Sequence, residues 1–324
     1  MYSFQELQDI IEKKISSFDF NNEPKELYEP FIYTLSNGGK RIRPVLTLMA
    51  CNLFNDKIDD AIYPAAGLEI FHNFTLLHDD IMDNSSLRRN KPTVHIKWNT
   101  NVAILSGDAM LIKAYEYISK CKPEIFKNVF KTFNKTALEV CEGQQFDMNF
   151  EQKETISIND YLKMIKLKTS VLLGACLKIG AIIGGASSQD TELLYNFGVN
   201  IGLAFQIKDD LLDVYGNSET FGKNIGGDII ANKKTYLLIK AFELAKHELL
   251  TNLKYQVNAK YFDTKEKISI IKDIYNKLGI KQITEDKINY YYKIALNKLE
   301  KLNISPDKKN ELEIFAKRLI VRDK

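Results

Sequence analysis

The chain has 324 residues, 45% hydrophobic and 27% charged, which is enough apolar material for a sizeable core and excludes a disordered or collagen-like chain. Its 45 basic and 42 acidic residues leave a formal net charge of only +3, so no nucleic-acid partner is expected and there is no polybasic tail for a membrane. Cys51, Cys121, Cys141 and Cys176 show no CxxC or Cys/His metal spacing, and the start MYSFQELQDIIEKK lacks a basic stretch followed by an apolar one; a reducing, cytoplasmic setting is expected.

Six of the seven prolines lie at or before Pro123, and the next is Pro306. The uninterrupted stretch between them, with apolar residues recurring every three to four positions, predicts several long helices. Strand signals are poor: valine is sparse, alternation is not sustained, and no Asn-Gly or Asp-Gly turn sits between alternating segments. The expectation is one large all-α domain over 1–324, with loops at 52–60, 84–91, 120–123, 152–159 and 216–234. Residues 171–186, VLLGACLKIGAIIGGA, fall short of the roughly 20 apolar residues of a transmembrane segment and read as a buried helix whose Gly and Ala permit close backbone approach. Beyond 265 the chain reads as lysine-rich amphipathic helices with solvated charged faces.

Within 61–83, Ala66, Ile70, Phe74, Leu77 and Ile81 form one helical stripe, expected to face the core. Asp79 and Asp83 fall on the opposite side one turn apart, His72 lies two turns below Asp79, and Asp80 sits near the edge of the stripe. Carboxylates at i and i+4 repel and require solvent or a cation. The arrangement recurs in 194–213, where Gly198, Gly202, Gln206, Asp209 and Asp213 share a face. Acids above glycines suggest a metal at a rim with space for something apolar beneath; hard ions such as Mg²⁺ take oxygen ligands, usually a few carboxylates plus substrate phosphates. A single DDxxD is weak, because acidic clusters are common on solvated helix faces, but two with adjacent cations are far stronger.

Those cations follow closely. Arg88 and Arg89 stand just beyond the first acidic turn, and upstream NGGKRIRP leads Lys40, Arg41 and Arg43 from a Gly-Gly turn into a helix expected to start at Pro44. Arginine suits bidentate phosphate contacts and lysine supplies a movable point charge. Carboxylates for metal and separate basic clusters for anions point to a highly charged phosphorylated ligand.

Taken together, GGKRIRP (38–44), LLHDDIMD (76–83) with RR (88–89), GD (107–108), EGQ (142–144), KT (168–169), FQIKDDLLD (205–213) and GKNIGGD with NKKT (222–235) resemble the trans-isoprenyl diphosphate synthases, the polyprenyl synthetase family, over nearly the whole chain. The resemblance implies an all-α isoprenoid synthase fold of about ten or more helices around a deep central cavity, a homodimer, and condensation of an allylic diphosphate with isopentenyl diphosphate. By the same resemblance Asp79, Asp83 and Asp209 would be ligands of three Mg²⁺ ions, with Asp80, Asp210 and Asp213 completing the acidic lips. Arg88, Lys168 and Lys223 would hold the allylic diphosphate, with Lys233 a further anion contact. Lys40, Arg43, His72 and Arg89 would form the isopentenyl diphosphate pocket, and Thr169 and Gln206 would stand beside the reacting carbon.

This chemistry needs charge to stabilise a leaving diphosphate and a closed, dry cavity, but no protein nucleophile, which matches the lack of a Ser/His/Asp or Cys/His arrangement. Residues 216–234 are the candidate lid. His78 and His95 are expected to make structural hydrogen bonds, and His247 to lie on the surface. Phe74 and, about 12 Å below Asp79, Phe71 are candidates for the floor that stops the growing chain, with Thr75 a small residue one turn below Asp79. By resemblance, aromatics at both the Phe74 and Thr75 positions mark farnesyl synthases; this pair favours a short-chain product, geranylgeranyl diphosphate ahead of farnesyl diphosphate. A class I terpene cyclase would need no second diphosphate pocket, and an inactive partner subunit would be expected to have degraded sites.

Overall fold

In the computed structural model, which describes residues 1–216 and 225–321, regular structure is almost entirely helical. The described residues divide into two compact units. The first comprises Met1–Thr136, Ala175–Tyr195 and Leu302–Glu311; the second is built from Ala137–Gly174, Asn196–Lys301 and Leu312–Lys324.

The first unit begins with α1 (Phe4–Ser16), where Ser3 and Glu6 close a capping box and Leu7, Ile11 and Ile15 bury one face at i, i+4 spacing. Next come α2 (Lys25–Ser36), α3 (Ile42–Phe54) and α4 (Asp59–Met82). The α3 helix starts at Ile42, two residues before the expected Pro44, which occupies its first turn. The central α4 packs against α3 and against α6 (Thr100–Ile118). Its burial is wider than a single stripe: Ala65, Leu68, Ile70 and Phe71 are all at most 1% exposed, together with a buried Glu69.

Glu69 has a partner that explains it. Arg41 reaches Glu69 through Nη1 and Glu12 through Nε, both at 2.9 Å, and its Nη2 donates to the carbonyl of Leu35 at 2.8 Å. Burial alone would lower the Arg41 pKa, but the two glutamates outweigh it and raise it. One guanidinium thus ties α1, α2 and α4 to the start of α3; Arg41 is a structural clamp, not an anion contact.

Between α4 and the short α5 (Val94–Lys97), Leu87–Arg88 (β1) pairs antiparallel with Lys91–Pro92 (β2). The connecting Arg89 and Asn90 both have positive φ, 54° and 61°, as a type I′ turn requires. Sequence signals missed this hairpin because its turn uses Arg-Asn in place of a glycine pair.

The α7 helix (Pro123–Glu151) begins with proline at its first position, where the missing N–H costs no hydrogen bond. It is followed by α8 (Ile158–Ile165), a π-helical turn Lys166–Ser170, and α9 (Val171–Gly184). These form one stretch, Ile158–Gly184, of 27 residues with mean hydropathy 1.6 over its most apolar window, and 61% of that window is buried in the protein. The length expected from 171–186 is therefore an underestimate, because the helix continues through the π turn. Within the first unit the small residues of α9 do permit close approach: a Cβ at Gly184 would lie 2.6 Å from the Cys51 carbonyl oxygen.

The helix α10 (Ser188–Tyr215) belongs to the second unit from Asn196 onward and ends in the second acidic segment. After it come α11 (Gly227–Ile230), α12 (Tyr236–Leu244), α13 (His247–Asn258), α14 (Thr264–Lys277), α15 (Ile280–Glu300) and α16 (Pro306–Val321). Gly202 does not open a space beneath the acids: a Cβ there would lie 2.7 Å from the Ser170 Cα, so the glycine serves close packing of α10 on the π turn.

Candidate active site

Both acidic segments stand at helix C-termini, where the helix dipole already concentrates negative charge, so each needs cations. In the first unit Arg88 supplies one. Its Nε and Nη2 each lie 2.7 Å from Oδ1 of Asp80, and Nη2 lies 3.4 Å from Asp79. Asp80 is buried, as its place near the stripe edge suggests, and burial pushes its carboxyl up to about 6 against the opposing pull of Arg88. Asp79 is half-buried and Asp83 exposed.

The basic corner of the same unit gathers from three segments. Gly39, at φ 138°, holds a left-handed backbone, and a Cβ there would lie 2.8 Å from Nη2 of Arg89. Arg89 folds back to donate to the carbonyl of Gly38. Arg43 Nη1 lies 2.9 Å from His72 Nε2. Burial first, then Arg43 and Arg89, hold the His72 pKa well below the usual histidine value, so the ring is neutral; facing a guanidinium that can only donate, its Nε2 is the acceptor. The buried Nε of Arg43 has no hydrogen-bond partner among the described residues. Lys40 is exposed, and its carbonyl accepts from Gln8.

In the second unit the π turn places Lys168 and Thr169. Gly143 on α7 lets that helix approach so closely that a Cβ would collide with the backbone nitrogen of Lys168. Lys168 Nζ donates to Asp147 at 2.7 Å, one turn further along α7. Thr169 Oγ1 donates to Gln206 Oε1 at 3.3 Å, and Gln206 Nε2 reaches Asp210 Oδ1 at 3.5 Å. Asp210 is buried and points inward, accepting the Tyr161 hydroxyl at 2.6 Å and the Tyr236 N–H at 3.4 Å. Burial and the nearby Asp228 push its carboxyl up to about 8, opposed by those hydrogen bonds. Asp213 accepts the N–H of Asp228 at 3.0 Å, at the start of α11. Asp209 is half-buried on the wall of a cavity of about 730 Å³, shared with Lys168, Thr169, Gln206, Lys233 and Lys234. Lys223 and much of the expected lid lie outside the described residues.

The polyprenyl synthetase family model matches residues 24–278. The chain belongs to the polyprenyl synthetase family. It is 35% identical over 308 residues to a geranylgeranyl diphosphate synthase of Sulfolobus acidocaldarius, covering 94% of this chain and 92% of the relative. To a short chain isoprenyl diphosphate synthase of Methanocaldococcus jannaschii it is 41% identical over 251 residues, 76% of each chain. A crystal structure of a geranylgeranyl pyrophosphate synthase superposes with a TM-score of 0.95 at 44% identity, covering 100% of both chains. The all-α isoprenoid synthase fold expected from the motifs is therefore the fold of this polyprenyl synthetase, and the chain is a prenyltransferase.

In this polyprenyl synthetase Phe71 is 1% and Phe74 8% exposed; the two rings tilt against each other, and Phe74 meets the His78 ring edge-on at 4.7 Å. Thr75 is half-buried, its hydroxyl turned back to the His72 carbonyl. His78 Nε2 lies 3.3 Å from the Ile104 carbonyl, the structural bond expected of it, and His247 is exposed. The buried Nδ1 of His95 has no partner among the described residues, contrary to expectation. Sequence reasoning gave no role to Tyr161, Asp147 or Asp228, although Asp228 closes the GKNIGGD motif and Asp147 stands four residues after Gly143 on the same face of α7.

Proposed function

We propose that this polyprenyl synthetase joins an allylic diphosphate to isopentenyl diphosphate head to tail, with geranylgeranyl diphosphate as product. The single observation that carries the reading is the cavity of the second unit, where Lys168, Thr169, Gln206 and Asp209 share one wall. The two relatives named above, a geranylgeranyl and a short chain isoprenyl diphosphate synthase, support a product of this length.

Lys168, Arg88, Lys223 and Lys233 bind the allylic diphosphate, with Lys223 known only from its sequence position. Arg43, His72, Arg89 and Lys40 bind isopentenyl diphosphate; the orphaned Nε of Arg43 is a donor that a phosphate oxygen would satisfy. The bond between the allylic carbon and oxygen breaks, and the electron pair leaves with diphosphate. The double bond of isopentenyl diphosphate then attacks that carbon, and the proton released on forming the new double bond passes to the departed diphosphate. Thr169 Oγ1 and the Gln206 amide orient their dipoles toward the cationic carbon.

The donor set fits Mg²⁺: among the described residues, the cavity wall offers carboxylates and lysines but neither histidine nor cysteine. Asp79, Asp83 and Asp209 would hold three ions, with Asp80, Asp210 and Asp213 behind them. No three His, Cys, Asp or Glu side chains form a ready cluster among the described residues. When bound, Mg²⁺ neutralises the charge that develops on the leaving diphosphate.

Both units act as one catalytic domain in this reading. We place the protein in the cytoplasm, supported by four cysteines free of disulfides. The protein pairs as a homodimer through α6, which leaves Ile104, Leu105 and Ile112 exposed at 41%, 60% and 68%. Light scattering should give a dimer for the wild type and a monomer for Ile112→Glu. The activity is tested with purified protein, labelled isopentenyl diphosphate, Mg²⁺ and dimethylallyl, geranyl or farnesyl diphosphate. Chromatography should show a twenty-carbon product; no Mg²⁺-dependent incorporation from any starter refutes the reading.

A further inference from the structure

Lys267, on α14, is only 1% exposed although it is remote in sequence from every motif. Its Nζ donates to Asn232 Oδ1 at 2.8 Å and lies 4.0 Å from the centroid of the Phe262 ring. No carboxylate pairs with it among the described residues. A buried ammonium without a counter-ion is unfavourable, so its one hydrogen bond is the contact that holds it there.

The acceptor occupies a particular place. Asn232 sits at φ 51°, a left-handed corner directly after α11, and its N–H bonds the Ile229 carbonyl at 3.2 Å. The next residue, Lys233, bonds the Asp228 carbonyl through its N–H at 2.9 Å. The neighbour of Lys267, Ile268, packs where a Cβ on Gly226 would fall 2.6 Å from its Cδ1. Successive residues of α14 therefore hold both ends of α11, and the corner they fix delivers Lys233 and Lys234 to the cavity wall shared with Lys168 and Asp209.

We infer that Lys267 is a positioning residue: through Asn232 it sets the left-handed corner that aims Lys233 and Lys234 at an anionic ligand in the cavity. This rests on the proposed role of Lys233 as a diphosphate contact, and the experiment separates the two. Steady-state kinetics on the full-length protein compare Lys267→Met, Lys233→Ala and the double variant, with inorganic diphosphate inhibition as a second readout. Lys233→Ala should raise the KM for allylic diphosphate and the inhibition constant for diphosphate; if neither moves, the reading of Lys233 fails. Lys267→Met should raise both about tenfold with little change in kcat, and should add clearly less in the Lys233→Ala background, where only the part that acts through Lys234 is left.

If Lys233→Ala acts but Lys267→Met only lowers the melting temperature, or the two effects multiply in full, Lys267 is a packing residue and the inference falls. Should Lys267→Met not fold, Asn232 gives the same answer from the other side. Asn232→Gly keeps the corner but removes the acceptor and should raise KM, whereas Asn232→Asp keeps an acceptor and should stay near wild type. Equal KM values for these two variants overturn the inference.

Discussion

The Tyr161 hydroxyl donates to Asp210 across 2.6 Å, joining α8 to the last turns of α10 in the interior of the second unit. The hydrogen-bonded chain Tyr161–Asp210–Gln206–Thr169 runs from that interior to the cavity wall. Tyr161→Phe keeps the ring and deletes the donor, leaving a buried carboxyl short of a partner. Unfolding in urea should show a loss of about 1–3 kcal/mol, with kcat falling more than KM rises as the Gln206 amide loses its anchor. An unchanged urea midpoint would mean the bond contributes nothing.

His72 gives a signed pH dependence. Its folded pKa is held well below 6.5, so below about that pH the unfolded chain binds a proton that the folded chain refuses, and stability falls as pH falls. Asp80 acts in the opposite sense: its folded pKa of about 6 lies above the unfolded 3.8, so its contribution grows as pH falls through that window. The difference between wild type and His72→Gln isolates the histidine. Melting curves from pH 8 to pH 5 should converge with acidity, by at most about 1.4 kcal/mol per pH unit. Parallel curves would show that His72 is not protonation-silent in the fold.

Gly143→Ala puts a methyl group into the backbone of the π turn. The turn must move, and Lys168 and Thr169 move with it, so stability should drop by about 1–3 kcal/mol. Because a small displacement of reacting groups is costly to catalysis, kcat should fall by about a hundredfold. Calorimetry and single-turnover rates measure the two effects; wild-type values for both would place the π turn elsewhere.

Phe74→Ala tests the floor. The ring packs on Phe71 and His78, so its removal should cost about 3–5 kcal/mol of stability. If Phe74 also limits the product, chromatography will show longer chains from the variant, and an identical chain-length distribution assigns it to packing alone.

Helical periodicity and side-chain chemistry, both local properties, were sufficient to place the two acidic segments on helices, to set Asp80 near the apolar edge, and to gather the motifs of a polyprenyl synthetase. They could not decide which cation meets which anion. Arg41, Arg43, Arg88 and Arg89 look alike in sequence, yet one is a buried clamp on Glu69, one faces a neutral His72, one pairs with Asp80 and one folds onto Gly38. Each of those partners lies on another segment and is reached only when helices pack, so the choice belongs to burial and distance in three dimensions. The same holds for Gly143, Tyr161 and Lys267: each acts on a segment that its own sequence neighbourhood does not name, and only the tertiary structure brings the two together.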